Sequence, residues 1–414
     1  MEKRMSAKET GSAATPGAYR WWLASDTSAA IGGGLRGFIL PLLTLTITGS
    51  AVHAGLVSTV QGLLTQVFLI GGGVIIDRFD RRILIRLHSA VNAVALLLLA
   101  VLAWGGQLGL AALLSAAVVF GLVAGLFGEA SDAALRSVID AERYPKAVTV
   151  NEGRDAAIRL ATGPVGGWLL GVMAGASLLV SSVFYILAGV LIGRVPLKLP
   201  PRDATLSPLA QLTEALSWIR ARRRAVPLVL LVGMANFGIA GVMTTTQYLA
   251  VQRTGQALDA GLLTTAAGLS VIVGALLANP IVSRMRTGTL IPVAFTLIAV
   301  GVAGLSVFNQ GVPLVVLLVL TFLGVPALNA ALTGFFFAAT PEAMQGRVQA
   351  LLGTFAAGLG ALAPLTVGLV LQLVDAQTAY FVALGPMAAA LVLAIGARSI
   401  REIPRPDDWA SIEL

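Results

Sequence analysis

"GGVIIDRFDRRILI", residues 72–85, sets five charges (Asp77, Arg78, Asp80, Arg81 and Arg82) into six positions between two uncharged, mostly apolar runs. Such a cluster in such a setting reads as the turn where two membrane helices meet the lipid headgroups. The rest of the chain agrees. Of its 414 residues 57% are hydrophobic and 12% charged, where soluble domains carry roughly 25% charge. A water-facing surface cannot be built from so few charges. A bilayer helix needs about 20 apolar residues, and hydrocarbon tolerates only helices and closed barrels. The apolar runs are too long for barrel strands. Polar breaks and Gly/Pro punctuation predict twelve spans, at 20–46, 53–76, 83–104, 108–131, 155–175, 177–193, 226–250, 257–280, 289–308, 312–337, 347–372 and 377–397.

Of the 28 Lys and Arg, Arg36 falls inside span 1 and Arg253 follows span 7. The others lie in the two tails, in the loops after even-numbered spans, or within about a turn of those. Both termini are therefore expected on the cytoplasmic side of the cell membrane, with span 1 retained as an uncleaved helix. On this reading the net charge of +8 is topological, and no nucleic-acid partner is invoked. The absence of Cys and the isolation of His53 and His88 argue against disulfides and a metal centre. With no phosphate loop and no evident nucleophile and base, neither an enzyme nor an ATP-driven pump is expected, and no cofactor.

The longest hydrophilic interruption, 195–225, divides the spans six and six. Tails at 1–19 and 398–414 flank bundles at 20–194 and 226–397. The fold expected is an all-α membrane protein of twelve transmembrane helices in two pseudo-symmetric six-helix bundles. Within the linker, Pro196, Pro200 and Pro201 precede Ser207 as N-cap and Pro208 at the first helical position. Leu209, Leu212, Leu216 and Ile219 then recur at helical spacing, which reads as an amphipathic helix lying apolar face down on the leaflet; a plain solvated linker is the alternative. An offset of 200 residues relates Val148 to Val348, Gly153 to Gly353 and Pro164 to Pro364. Spans 5 and 11 each carry a small-residue stripe, Gly163, Gly167, Gly171 and Gly175 against Ala356, Gly360, Pro364 and Gly368. These mark faces where helices approach closely, either packed statically or sliding past each other.

Anchoring at the headgroups needs only the arginines of the opening stretch, so Asp77 requires its own reason. Gly73, Asp77, Arg78, Arg81 and Arg82 stand at the spacing G-x-x-x-D-R-x-x-R-R. Here the chain resembles the major facilitator superfamily, whose motif between spans 2 and 3 has glycine where this chain has Asp80. That variant is associated with the exporter branch that includes enterobactin exporters and macrolide efflux pumps. "TGSAVHAGLV" at 48–57, "GPVGG" at 163–167 and "GRVQALLGTFAAGLGAL" at 346–362 extend the resemblance over essentially the whole chain. It implies a cytoplasmic latch, closed when the transporter opens outward. Asp77 would meet the start of span 11 near Gly346 to Val348, and Arg81 or Arg82 would meet Glu129 or Asp132. "NPIVSRMRTG" between spans 8 and 9 keeps Arg284 and Arg286 without an acid, so the latch is one-sided. The span 5 segment matches an antiporter signature through Gly163, Pro164, Gly166 and Gly167, but departs from it at Arg159 and Trp168.

Asp26 and Arg36 lie inside span 1, where ionisable groups are functional candidates by default because each costs about 2.5–3.5 kcal/mol. By the resemblance, Asp26 is the expected proton carrier; pairing with Arg154 or Arg159 is the alternative. Arg36 suits an anionic or carbonyl-rich substrate group, or a structural pair. Asn236, Gln247 and Tyr248 in span 7 and Asn329 in span 10 would supply neutral contacts or interhelical glue. The resulting expectation is a monomeric secondary exporter of a small amphipathic compound such as a drug, macrolide or siderophore, driven by proton exchange. The alternative is a proton-independent facilitator or lysophospholipid flippase.

Overall fold

Short breakers define the helices. α1 (Pro16–Thr48) stops at Gly49, whose φ of +65° takes the left-handed turn that a side chain disfavours. Ser50 caps α2 (Ala51–Arg78) by accepting from the His53 N–H at 3.2 Å. Asp80 caps α3 (Arg81–Trp104), its carboxylate accepting from the Arg82 N–H at 2.8 Å. This supplies a local reason for an acid where the resembled motif carries glycine.

α4 (Leu110–Phe127) bends into α5 (Ala130–Val138), followed by α6 (Tyr144–Val172) and α7 (Ala174–Ile192). After α8 (Pro208–Arg220) come α9 (Ala225–Thr254), α10 (Ala257–Arg284) and α11 (Thr287–Val307). α12 (Gly311–Leu323) and α13 (Val325–Asn329) lead through a π-turn at Ala330–Gly334 into α14 (Phe335–Ala338). α15 (Glu342–Leu373), α16 (Ala376–Gly396) and the short α17 (Arg398–Arg401) complete the chain. These elements belong to a computed structural model that describes residues 16–196 and 208–411. Pro200, Pro201, Ser207 and the tail before Pro16 lie outside the described residues.

Eleven segments, with α4 joined to α5 and α12 to α14 taken together, are long and apolar enough to cross a bilayer. α6 is the twelfth crossing, and its first half carries Lys146, Glu152, Arg154, Asp155 and Arg159. The sequence predicts this span at 155–175, whereas the helix begins at Tyr144 and ends at Val172. Of these charges Arg154, Asp155 and Arg159 line a polar cavity rather than lipid, whereas Lys146 and Glu152 are exposed.

α1 to α7 form one bundle and α9 to α16 the other. At the end opposite the termini a single apolar core spans both: Leu42 and Leu43 of α1 and Phe120 of α4 pack in one cluster with Tyr248 and Val251 of α9 and Ala257 of α10. At the terminal end the bundles have separate cores. Trp22, Ile76, Ala134 and Ile192 belong to a cluster of first-bundle residues, and Val348, Phe335 and Ile400 to one from the second half of the chain. A Cβ added at Gly153, Gly346 or Gly353 would meet nothing within 4 Å. The bundles are therefore joined at one end and parted at the other.

Two pseudo-symmetric seams make that joint. α6 crosses α10 where a Cβ on Gly163 would lie 2.8 Å from the Gly261 carbonyl oxygen, and one on Gly167 2.5 Å from the Ala257 carbonyl oxygen. α15 crosses α2, with Gly55 against the Pro364 carbonyl and Gly368 against the Ala51 carbonyl. Bare backbones let helices approach this closely. Pro164 cannot donate to the Leu160 carbonyl four residues back, and the Thr265 hydroxyl of α10 donates to it at 3.1 Å. In the sister seam the Leu365 N–H donates to the Thr59 hydroxyl at 3.2 Å. The stripe of α6 ends early: a Cβ on Gly171 would meet nothing, and Gly175 belongs to α7, packed on the Trp104 ring.

The linker helix and the C-terminal segment both dock on the second bundle. Ala215 and Ile219 of α8 are buried in its core, and Glu214 pairs with Arg347 of α15 at 2.6 Å. Ile219 of the expected apolar stripe thus meets protein, and the side chains of Leu209 and Leu212 lie outside the described residues. The Thr287 N–H donates to the Pro404 carbonyl and the Gly288 N–H to the Ile403 carbonyl, both at 3.1 Å; these N–H groups open α11 and have no partner within the helix. Trp409 donates to the Thr287 hydroxyl at 2.9 Å and sets its ring edge-on to Phe335.

Candidate functional site

A polar cavity of about 420 Å³ opens within the first bundle, lined by α1, α3, α5, α6 and α7. Its walls carry Asp26, Arg36, His88, Asp132, Arg154 and Arg159.

Asp26 sits one turn beyond Trp22, which fixes α1 by donating from its indole N–H to the Ser131 carbonyl at 3.1 Å. One carboxylate oxygen of Asp26 accepts from the Ser131 hydroxyl at 2.5 Å, and the other pairs with Arg154 at 2.6 Å. Arg154 also pairs with Asp155 at 2.8 Å and reaches the Thr27 hydroxyl at 3.3 Å. The side chains of Asp26 and Arg154 are only 13% and 15% exposed, so the pair is held largely out of water. It ties α1 to α6 through one carboxylate. Arg159, a turn further along α6, is exposed to the same cavity.

Arg36 lies ten residues along α1 from Asp26, about 15 Å by helical rise, and is 8% exposed. It donates to the Asn92 side-chain oxygen of α3. Its guanidinium stacks at 4.6 Å from the Phe120 ring centroid and 5.8 Å from that of Tyr185, a desolvated cation–π setting. Asn92 in turn donates to the His88 carbonyl at 2.8 Å, and the His88 ring meets Tyr185 edge-on at 5.8 Å. Arg36 is therefore both paired and cavity-facing. Replacing Asn92 by Leu leaves a buried guanidinium donor without its acceptor, which is expected to destabilise the protein by about 1–3 kcal/mol. Thermal unfolding in detergent checks this, with Ser89→Ala on the same helix as the control.

The candidates on the second bundle are not brought to this cavity. Asn236 donates back to the Val232 carbonyl at 2.9 Å, and Gln247 to the Thr264 hydroxyl at 3.0 Å. Tyr248 is 1% exposed within the core that joins the bundles. Asn329 is exposed and directly precedes the π-turn.

The latch residues are apart. Gly73, Asp77 and Arg78 are exposed, and the glycine of α2 that touches α4 is Gly72, pressed on the Gly125 carbonyl. Arg81 donates to the Ala133 carbonyl at 2.8 Å and the Ser137 hydroxyl at 3.3 Å, on α5 beyond Asp132. Arg82 goes to the Val195 carbonyl instead of an acid. Asp132 faces the cavity, and Glu129 precedes α5 at an exposed position. α15 begins at Glu342, so Gly346 to Val348 lie in its second turn rather than at its end. Ser131, Asn92, Phe120 and Tyr185 are partners that sequence pattern alone does not reveal. Polar residues four apart in an apolar helix, His88 and Asn92, were the available signal.

A family model described as the Major Facilitator Superfamily matches residues 27–364. The chain is 28% identical over 332 residues to the enterobactin exporter EntS of Citrobacter koseri, covering 77% of this chain and 76% of that protein. Among solved structures it is similar to the nucleoside transporter NupG, with a TM-score of 0.72 and 12% identity over 91% of this chain and 98% of that one. It is also similar to a bacterial homologue of the iron transporter ferroportin in an inward-facing state, with a TM-score of 0.70 and 15% identity over 95% and 99% of the two chains.

Proposed function

The chain belongs to the major facilitator superfamily, and we propose that within it the protein exports a small amphipathic compound in exchange for protons, by alternating access. The Asp26–Arg154 pair carries this reading. A proton arriving on the Asp26 carboxylate cancels its charge, leaves Arg154 to Asp155, and removes the ion pair between α1 and α6. Binding of a proton is thereby coupled to movement between helices that line the cavity. Arg36, at the far end of that cavity from Asp26, supplies a cation for a carbonyl-rich or anionic group, and Tyr185, which lines the same cavity, supplies apolar surface.

The distribution of Lys and Arg supports cytoplasmic termini. With that orientation the parted ends of the bundles face the cytoplasm, and substrate enters there. Asp77 then closes on α15 near Gly346 to Val348 when the bundles rock, and the seams at Gly163 and Pro364 part on the outer side. The resemblance to an exporter supports the outward direction. One charge crossing 100 mV supplies about 2.3 kcal/mol, to which a proton gradient adds.

Inverted vesicles supplied from outside with fluorescent siderophores, macrolides or hydrophobic dyes, with and without a pH gradient, test the proposal. Gradient-dependent accumulation of one class supports it. Movement at full rate with the gradient collapsed replaces it with a facilitator or flippase.

A further inference from the structure

A second cavity, of about 690 Å³, lies at the end of the second bundle opposite the termini, between the end of α9, the start of α10 and the start of α12. Most of its wall is apolar. Leu262 of α10 and Val312 and Val316 of α12 line it and are 53%, 75% and 49% exposed, a surface that only lipid tails would cover in a bilayer. Two opposite charges line it: Arg253, in the last turn of α9, and Asp259, in the first turn of α10. They do not form an ion pair with each other among those of the described residues.

Arg253 is the Lys or Arg that breaks the charge rule of this sequence, since it follows an odd-numbered span. Its guanidinium is held in place by the loop between α11 and α12, donating to the Asn309 carbonyl at 2.5 Å and the Asn309 side-chain oxygen at 2.8 Å. A fixed cation at headgroup depth attracts a phosphate. An anionic lipid would be disfavoured by Asp259 in the same cavity. A headgroup carrying both a phosphate and an ammonium satisfies both residues, and the apolar wall below takes its acyl chain.

We propose that this groove is a binding site for a zwitterionic aminophospholipid of the leaflet opposite the termini, with its phosphate on Arg253 and its ammonium at Asp259. The site is separate from the polar cavity of the first bundle and does not depend on the transported substrate. Native mass spectrometry of the delipidated full chain, titrated with dioleoyl phosphatidylethanolamine or dioleoyl phosphatidylglycerol, tests it. The wild type is expected to retain the ethanolamine lipid at least tenfold more tightly than the glycerol lipid. Arg253→Gln should lose that retention, and Asp259→Asn should erase the preference between the two lipids. Val316→Trp, which fills the groove from a lipid-facing position without touching either charge, should evict the lipid while the thermal unfolding midpoint in detergent stays unchanged. Equal retention of both lipids by the wild type overturns the proposal. So does wild-type retention of the ethanolamine lipid by Arg253→Gln, which would reduce that residue to a tether for the α11–α12 loop.

Discussion

Asp26→Asn is expected to reduce gradient-driven efflux to the rate seen with the gradient collapsed, while substrate still binds. The substitution keeps the shape of the side chain and an oxygen for the Ser131 hydroxyl at its 2.5 Å position. It removes the negative charge that holds Arg154 at 2.6 Å. Breaking a buried pair by losing one partner typically costs about 3–5 kcal/mol; here Asp155 remains 2.8 Å from the orphaned guanidinium, so the protein should stay folded. The loss should therefore appear in coupling rather than in expression. Efflux with an unchanged dependence on the pH gradient would move the proton to Asp132 or Glu129.

The second large effect is steric. A Cβ on Gly261 would collide with the Gly163 carbonyl and lie 3.0 Å from the Pro164 Cα, both backbone atoms that cannot step aside. Gly261→Leu is expected to penalise only the conformation in which this seam is closed. Overpacking of about 1–3 kcal/mol confined to one of two states shifts their ratio by roughly 5- to 150-fold. Transport should fall, and spin labels at Gln107 and Gln377, near the joined ends of the two bundles, should move apart. Gly171→Leu is the control: it lies on the same stripe of α6, but its Cβ meets nothing within 4 Å. Equal behaviour of the two variants would reduce the seam to passive packing.

Hydrophobic run length and charge position made the fold readable, because lipid enforces both on every span. The same signals misplaced α6. A window that counts charges assigns Arg154 and Arg159 to a membrane edge, whereas a polar cavity keeps them inside the helix. Asp26 and Arg36 were legible as candidates because charge in a span is expensive wherever it occurs. Their partners were not, since nothing in the local pattern says that Ser131, 105 residues on, donates to Asp26. Nor does it say that Asn92 and Phe120 converge on Arg36. Pro164 and Pro364 were visible as a repeat at an offset of 200. Their crossing partners, Gly261 and Gly55, were hidden because pairing between bundles is a property of the assembled fold. The latch motif was readable as a motif, but its contacts depend on conformation, and here Asp77 is exposed.

In the proposed cycle the two bundles part alternately at either end, with Asp77 holding the terminal end closed in one of the two states. Electron-spin distances between labels at Phe79, beside the latch on the first bundle, and Gly346, on α15 of the second, measure this most directly. Two separations are predicted, with transported substrate and pH shifting their proportions and Asp77→Asn depleting the shorter one. A single separation that ignores substrate, pH and that substitution would contradict the account.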